Sequence, residues 1–325
     1  MLKILDREIN RGDKFITDYQ VTDGQGGETL LPYYVIAGEQ DGPVLCITSG
    51  VHGTEYPGIG ANLKLYNDIQ TKDLAGTIIG VPQCNFASFQ AKQPFVNPID
   101  GKNLNDTFPG SADGTMTERL CHILVHEFAA KAQYHIDMHS GDSIEWLHPY
   151  AFYHINEQDP AVTEIARAMA KVYGLNYVSY TETAGAGATD KGNFYAAVSE
   201  LGIPSIQPEI GGIGLIECKT KLLHYNGARN VLIHLGMLPG VKTENSSQQE
   251  LSRFYRLKSD FDGIYHCFVR PGDRIEKGRH LATITDYHGQ EIYKEFYAEE
   301  DCVILWVMST FAACKGDNLM AIGVI

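Results

Sequence analysis

The stretch Pro43–Glu55 (PVLCITSGVHGTE) constrains the fold of this chain most. Pro43–Ser49 is an apolar run of β-formers that stops at Gly50-Val51-His52-Gly53-Thr54-Glu55. Pro57 then sits early in a helical pattern running to Gln70, where its missing N–H costs little. The segment reads as a strand, a sharp loop and a helix.

The rest of the first 236 residues repeats that alternation. Thr77–Val81 is a second strand pattern, and Cys84–Gly114 is a long loop rich in Pro, Asn, Gly and Asp. Loops of that length inside compact domains are functional or disordered. Thr115 and Glu118 form a capping-box signature before Leu120, Ile123, Leu124 and Phe128 at helical spacing. Tyr134–His139 alternates, with His135, Asp137 and His139 on one face. A helix is expected from Asp159-Pro160 to Gly174, another over Asn193–Leu201, a strand over Ile203–Ile210, and a last helix near Thr220–Leu235. The pattern predicts an α/β domain with a mostly parallel sheet flanked by helices on both faces. In such sheets ligands sit beyond the carboxyl ends of the strands. His52, Glu55, His139 and Glu209 all fall at those ends.

Composition shifts after Gly236. Leu238–Glu250 is polar and reads as a linker, and short β runs separated by turns follow, two of them marked by Gly272-Asp273 and Gly316-Asp317. The expected division is 1–248 for the α/β domain and 249–325 for a small all-β domain. The tail resembles a lipoyl/biotinyl-like sandwich. Such carriers present a modified Lys at a hairpin tip, and the comparable Val307-Met308-Ser309-Thr310 has none. A structural role is expected instead.

Net charge is 26 − 40 = −14, which disfavours nucleic acid and anionic membranes as partners. The seven cysteines are scattered without a CxxC pair, as in a reducing compartment rather than a disulfide scaffold. The charged start shows no apolar signal segment. The run Cys302–Cys314, with 13 uncharged residues, is too short to span a bilayer. A soluble, cytoplasmic protein is expected, and homo-oligomerisation is compatible with the sequence.

The chemistry centres on His52-Gly53-Thr54-Glu55 and the distant His139. Two imidazoles and a carboxylate are good Zn²⁺ ligands that leave a fourth position open. Taken alone, an HxxE spacing also arises from a loop His and a surface Glu. Asp137 shares a strand face with His139 and is placed to hold its second ring nitrogen. Glu209 closes an apolar segment, where desolvation would raise its pKa and suit general-base work. A surface Glu in a Gly-rich turn is the alternative.

GVHGTE, DGKNLNDTFPG (Asp100–Gly110), DMHSG and PEIGG occur in that order. Together they resemble the succinylglutamate desuccinylase/aspartoacylase family, zinc hydrolases related in fold to zinc carboxypeptidases. The resemblance spans roughly residues 30–325. It implies one Zn²⁺ per chain on His52, Glu55 and His139, Glu209 as general base, and hydrolysis of an N-acyl amide in a small molecule. It also marks two departures. The family's carboxylate-gripping Asn-Arg pair falls on Asn105-Asp106, and a second family Arg, which helps stabilise the oxyanion, would fall near Phe95–Pro98, but no Arg occurs from Gly12 to Glu118. Asn105 and Asp106 are therefore expected at the substrate, with Asp106 favouring a substrate that carries an amine or guanidine.

Other candidates carry less. Ser140 and Ser143 lack a GxSxG elbow, and Gly185-Ala186-Gly187 is no phosphate loop. His122 and His126 stand at i, i+4 on a helix without a matched third ligand. Asp142, Glu145, Trp146, His148 and Tyr150 form a loop that could line a pocket. The leading expectation is a zinc amidohydrolase. A carboxypeptidase-like metallopeptidase and a metal-binding protein that has lost catalysis are the alternatives.

Overall fold

Gln40–Ser49 lies inside a nine-stranded sheet. The computed structural model describes residues 2–181 and 192–325; Gly185-Ala186-Gly187 lies outside them. Across the sheet the order is Gln249–Glu250, Tyr177–Thr181, Tyr150–His154, Ser205–Glu209, Tyr134–Met138, Gln40–Ser49, Ala75–Val81, Glu28–Ala37 and Lys14–Thr22.

The sheet is mixed. Five junctions are parallel and three are antiparallel, more antiparallel pairing than the sequence pattern predicts. Lys14–Thr22 and Glu28–Ala37 form a hairpin, and short connections permit only antiparallel pairing. Asp23 closes its turn by accepting from Gln25 N–H at 2.7 Å and Gly27 N–H at 2.9 Å. Tyr150–His154 runs against Ser205–Glu209, which sits between it and Tyr134–Met138.

Helices cover both faces, as expected. On one face Ala61, Leu65, Met169, Tyr173, Val231 and Leu232 pack on Leu45, Ile47 and Ile136. On the other, Leu120, Leu124, Phe128, Phe194 and Val198 pack on Val35, Cys46 and Ile79. Truncating a fully buried residue such as Ile47 costs about 2–5 kcal/mol. The helices Tyr56–Asp68, Met116–Ile123, Pro160–Tyr173, Phe194–Glu200 and Cys218–His234 match the expected ones within a few residues. The long loop from Cys84 contains a short helix, Phe86–Ala91, whose Asn85 cap accepts from Ser88 N–H at 3.3 Å.

Two antiparallel sheets make up the C-terminal part. One holds Arg253–Lys258, Asn318–Val324 and Cys302–Met308; the other holds Ile292–Tyr297, His280–Thr285 and Gly263–Cys267. Their core is not separate from the first domain. Leu147, Tyr150, Phe152 and Tyr195 pack in the same cluster as Leu281, Ile284, Val303 and Leu305.

The segment expected as a linker is a strap instead. Gln248 donates to the carbonyls of Lys171 and Leu175 at 3.0 and 2.9 Å, and Asn245 donates to Gly174 O at 3.1 Å. These amides cap the C-terminal end of the helix Pro160–Tyr173, adding to the Gly174 N–H that the Lys171 carbonyl accepts at 3.2 Å. Gln249–Glu250 then joins the large sheet beside Tyr177–Val178. The loop expected at Glu145–Tyr150 is likewise ordered. Glu145–Leu147 pairs with Trp306–Met308 of the β domain, and Tyr150 begins a strand of the large sheet.

Candidate functional site

Gly50 turns the chain out of its strand with φ +65°, a conformation cheap only for glycine. Gly53 allows the closest approach in the loop. A Cβ there would lie 2.4 Å from the Ser88 backbone carbon. The loop therefore presses against the Phe86–Ala91 helix and turns His52 and Glu55 the same way. Glu55 occupies the N-cap position of Tyr56–Asp68, with Pro57 in the first turn.

His52, Glu55 and His139 converge, with one donor atom from each lying within 4.8 Å of the others. His52 Nδ1 is 2.7 Å from Glu55 Oε1, and His139 Nδ1 is 2.9 Å from Glu55 Oε2. Each imidazole has its other nitrogen engaged. His139 Nε2 lies 3.0 Å from Asp137 Oδ2, and His52 Nε2 lies 3.2 Å from Asn103 Oδ1. Both acceptors favour a proton on Nε2 and leave Nδ1 as the free donor. Two nitrogens and a carboxylate thus face one point, a donor set that fits Zn²⁺.

All three side chains are buried, so their charges must balance locally. Burial alone would raise the Glu55 pKa, but His139 and His52 outweigh it and hold the carboxyl at about 2. Burial opposes the His52 imidazolium, yet Glu55 lifts its pKa to about 9. Asp137 and Glu55 raise His139 in the same way.

A hydrogen-bonded chain braces the site from behind. Thr48 Oγ1 donates to Asp137 Oδ1 at 2.7 Å and lies 3.0 Å from His135 Nε2, whose Nδ1 is 2.8 Å from Ser205 Oγ. Burial lowers the His135 pKa to about 4 and keeps that ring neutral. From the helix side, His224 Nε2 donates to the His139 carbonyl at 2.9 Å, and its Nδ1 lies 3.0 Å from Tyr173 OH.

Glu209 stands beside His139, with which it forms an isolated parallel bridge. Gln207 Nε2 donates to Glu209 Oε1 at 2.8 Å. Burial, aided by Glu55 and Glu145 and opposed by His139, lifts the Glu209 pKa to about 8. Glu145 rises to about 7, chiefly by burial.

These residues open into a cleft of about 450 Å³. His52, Glu55, His139, Glu209, Asn105 and Asp106 all line it. Asn105 has its Oδ1 occupied by Phe194 N–H at 3.2 Å, which leaves its NH₂ as the polar group for a ligand. Asp106 is exposed at the rim. Asp137 lies behind His139 rather than in the cleft.

Of the other residues expected near a pocket, Glu145 and Tyr150 line it, whereas Asp142, Trp146 and His148 do not. Asp142 staples the loop by accepting from Phe95 N–H at 2.9 Å and Ser143 N–H at 2.8 Å. The His122 and His126 rings lie tilted at 46° with centroids 4.4 Å apart, and no third ligand joins them among the described residues. Sequence reasoning missed Gln207, Asn193, and four residues of the β domain: Arg256, Lys258, Trp306 and Asn318. Gln207 stood two residues before Glu209 on the same strand face and could have been found. The β-domain residues carry no local signal, because only the docking of the two parts brings them to the cleft.

A buried His–Glu–His set at strand ends, with a second buried carboxylate beside it, is a site layout of hydrolytic α/β enzymes. The model of the succinylglutamate desuccinylase/aspartoacylase catalytic domain matches residues 41–235, and the chain belongs to that family. It is similar to the N-alpha-acetyl-L-2,4-diaminobutyric acid deacetylase of Halomonas elongata, at 28% identity over 301 residues, covering 91% of this chain and 86% of that one. Among solved structures it is similar to the product-bound ectoine utilization protein EutE (DoeB) of Ruegeria pomeroyi. That match has a TM-score of 0.86 at 26% identity and covers 100% of this chain and 99% of the other. A succinylglutamate desuccinylase from Silicibacter matches with a TM-score of 0.82 at 26% identity, covering 99% and 98%. No described helix is long and apolar enough to cross a membrane.

Proposed function

We propose that this protein is a zinc-dependent amidohydrolase that removes the acyl group from an N-acyl amino acid bearing a second, cationic amine. The convergence of His52 Nδ1, Glu55 and His139 Nδ1 beside Glu209 carries this reading. Two of the named relatives support it by their names: one is a deacetylase of an N-acetylated diamino acid and one a succinylglutamate desuccinylase.

When bound at this triad, Zn²⁺ supplies Lewis acidity to the acyl carbonyl and to water. Glu209 takes the proton from the attacking water and delivers it to the departing amine. Its raised pKa suits both halves of that task near neutral pH. Asp137 holds His139 in one tautomer. Tyr150 lines the cleft, and burial keeps its phenol protonated. That O–H and the Asn105 NH₂ are donors for the charge that develops on the acyl oxygen, the part that an Arg plays in the family resemblance.

Asp106 and Glu145 both line the cleft and favour a cationic side chain beside them. The β domain, read as a lipoyl/biotinyl-like sandwich without a carrier lysine, closes one side of the cleft. Metal analysis of the purified protein and an amine-release assay on N-acetyl-2,4-diaminobutyrate, N-acetyl-aspartate and N-succinyl-glutamate test the reading. Stoichiometric zinc and fastest release from the diamino substrate are expected. No release from any of them overturns it.

A further inference from the structure

Among the described residues that line the cleft, Arg256 and Lys258 are the only lysine or arginine side chains. Neither comes from the α/β domain. Both stand on the β-domain strand Arg253–Lys258. The loop that would carry a carboxylate-binding Arg in the resembled family carries Asp106 instead, and the whole stretch from Gly12 to Glu118 has no Arg.

Strand geometry explains why these two residues reach the site. Side chains at i and i+2 share one face, so Phe254 and Arg256 point together; the pairing with Asn318–Val324 shifts register between Leu257 and Lys258, and Lys258 lines the cleft beyond that shift. Phe254 packs edge-on against Phe152, with ring centroids 4.8 Å apart. Phe152 lies on the strand that Tyr150 begins. The Phe254 contact therefore turns this face toward the α/β domain. The Arg256 guanidinium carbon lies 5.1 Å from the Phe254 ring centroid, a cation–π contact that helps orient the side chain. Lys258 pairs with Asn318, which lines the cleft as well. The Arg256 charge also reaches the Tyr150 phenol and partly offsets the burial that raises its pKa.

We infer that Arg256 binds the substrate's carboxylate, with Lys258 adding charge beside it, so that the β domain supplies the anionic-group subsite missing from the α/β domain. A planar guanidinium can grip a carboxylate through two parallel hydrogen bonds, which an ammonium cannot do. The cleft then holds opposite charges on separate elements, with Asp106 and Glu145 for an ammonium and Arg256 and Lys258 for a carboxylate. That arrangement fits a zwitterionic N-acyl diamino acid. The inference rests on the deacylase reading for its substrate class and on the strand geometry for its residue.

The test uses the zinc-loaded full chain and compares wild type with Arg256→Ala, Arg256→Lys and Lys258→Ala. The substrates are N-acetyl-2,4-diaminobutyrate and its carboxamide. Equilibrium binding of 2,4-diaminobutyrate and of 1,3-diaminopropane, which lacks the carboxylate, is measured in parallel. Wild type is expected to prefer the carboxylate in both assays. Arg256→Ala should raise KM for the acid by about 10–100-fold, the range for a lost charge-assisted pair. It should leave kcat and the carboxamide nearly unchanged, and Arg256→Lys should recover part of the loss. An unchanged acid-to-carboxamide ratio in Arg256→Ala, with zinc content and melting temperature retained, overturns the inference. So does a ratio that responds to Lys258→Ala alone. If Arg256→Ala does not fold, Arg256→Lys decides, and a ratio equal to wild type then overturns it. If wild type releases no amine from any N-acyl amino acid, the deacylase reading fails. The binding ratio alone then decides the subsite.

Discussion

Asp137 Oδ2 lies 3.0 Å from His139 Nε2, with Asp137 in the strand Tyr134–Met138 and His139 one residue past its end. Asp137 is itself held by Thr48, and its carboxyl lies below the usual range. Burial pushes that pKa up, but His139, His135 and Thr48 outweigh it. Replacing Asp137 with Asn keeps the shape and removes the charge. Zinc affinity is expected to fall by about 10–100-fold. Competition with a chelator checks it, and an affinity equal to wild type would show that Asp137 does not tune His139.

His52 is the other imidazole of the triad, and His52→Ala leaves one nitrogen and one carboxylate. The variant should carry little zinc after dialysis and show no amine release. Metal analysis by mass spectrometry decides. Full stoichiometry would remove His52 from the ligand set.

Glu209→Gln preserves volume and removes the proton acceptor. Zinc should stay bound while kcat falls by about 10²–10⁴. Near-normal turnover would transfer the role to Glu145, the other raised carboxyl that lines the cleft.

Asp106 stands exposed at the cleft rim. Asp106→Arg should shift kcat/KM from N-acyl substrates with a cationic side chain toward N-acetyl-aspartate. Opposite charges about 4 Å apart are worth about 4 kcal/mol at an intermediate dielectric, before desolvation. Solvent at the rim reduces this, so a change of about tenfold in the ratio is expected. An unchanged ratio would mean that Asp106 does not select charge.

Glu250 ties the strap to the helix Pro160–Tyr173. It accepts from Arg167 Nε and Nη2 at 2.7 and 2.6 Å, from Tyr153 OH at 2.9 Å, and pairs with Lys171 at 2.8 Å. The Arg167 hydrogen bonds lead in holding its pKa at about 2. Because the folded pKa is depressed, its stabilisation is present above the unfolded value near 4.3 and is lost as pH falls toward 2. Glu250→Gln should melt about 1–2 °C below wild type at pH 7, as for a partly exposed pair. The gap should close between about pH 4.5 and 2. A gap independent of pH would assign the loss to packing.

Much of the α/β domain was legible because its signals are local. The apolar run into Gly50, the Asp159-Pro160 start, the Gly174 stop and the alternation of Tyr134–His139 each depend on a few neighbouring residues. The hairpin Lys14–Ala37 and the strand Tyr150–His154 were not read as such. Most of Lys14–Thr22 stays exposed or half-buried, so it lacks a continuous apolar run; Tyr150–His154 is buried by distant partners, and the segment after His139 looks like a loop until Glu145–Leu147 pairs with Trp306–Met308. The strap at 239–248 looked like a linker for the same reason, since its polar amides are satisfied by a helix end some 70 residues earlier.

The donor types, and the position of His52, Glu55, His139 and Glu209 at strand ends, follow from local sequence, because strand period and turn residues act within a few positions. The assembled geometry comes from packing between distant elements. That packing brought the Nδ1 atoms and the Glu55 carboxylate to one point. It oriented the imidazoles through Asp137 and Asn103. It also carried Arg256 and Lys258 from the β domain into the cleft. Hydrogen-bond distances and burial depend on how separate elements pack, and no short-range pattern encodes that packing.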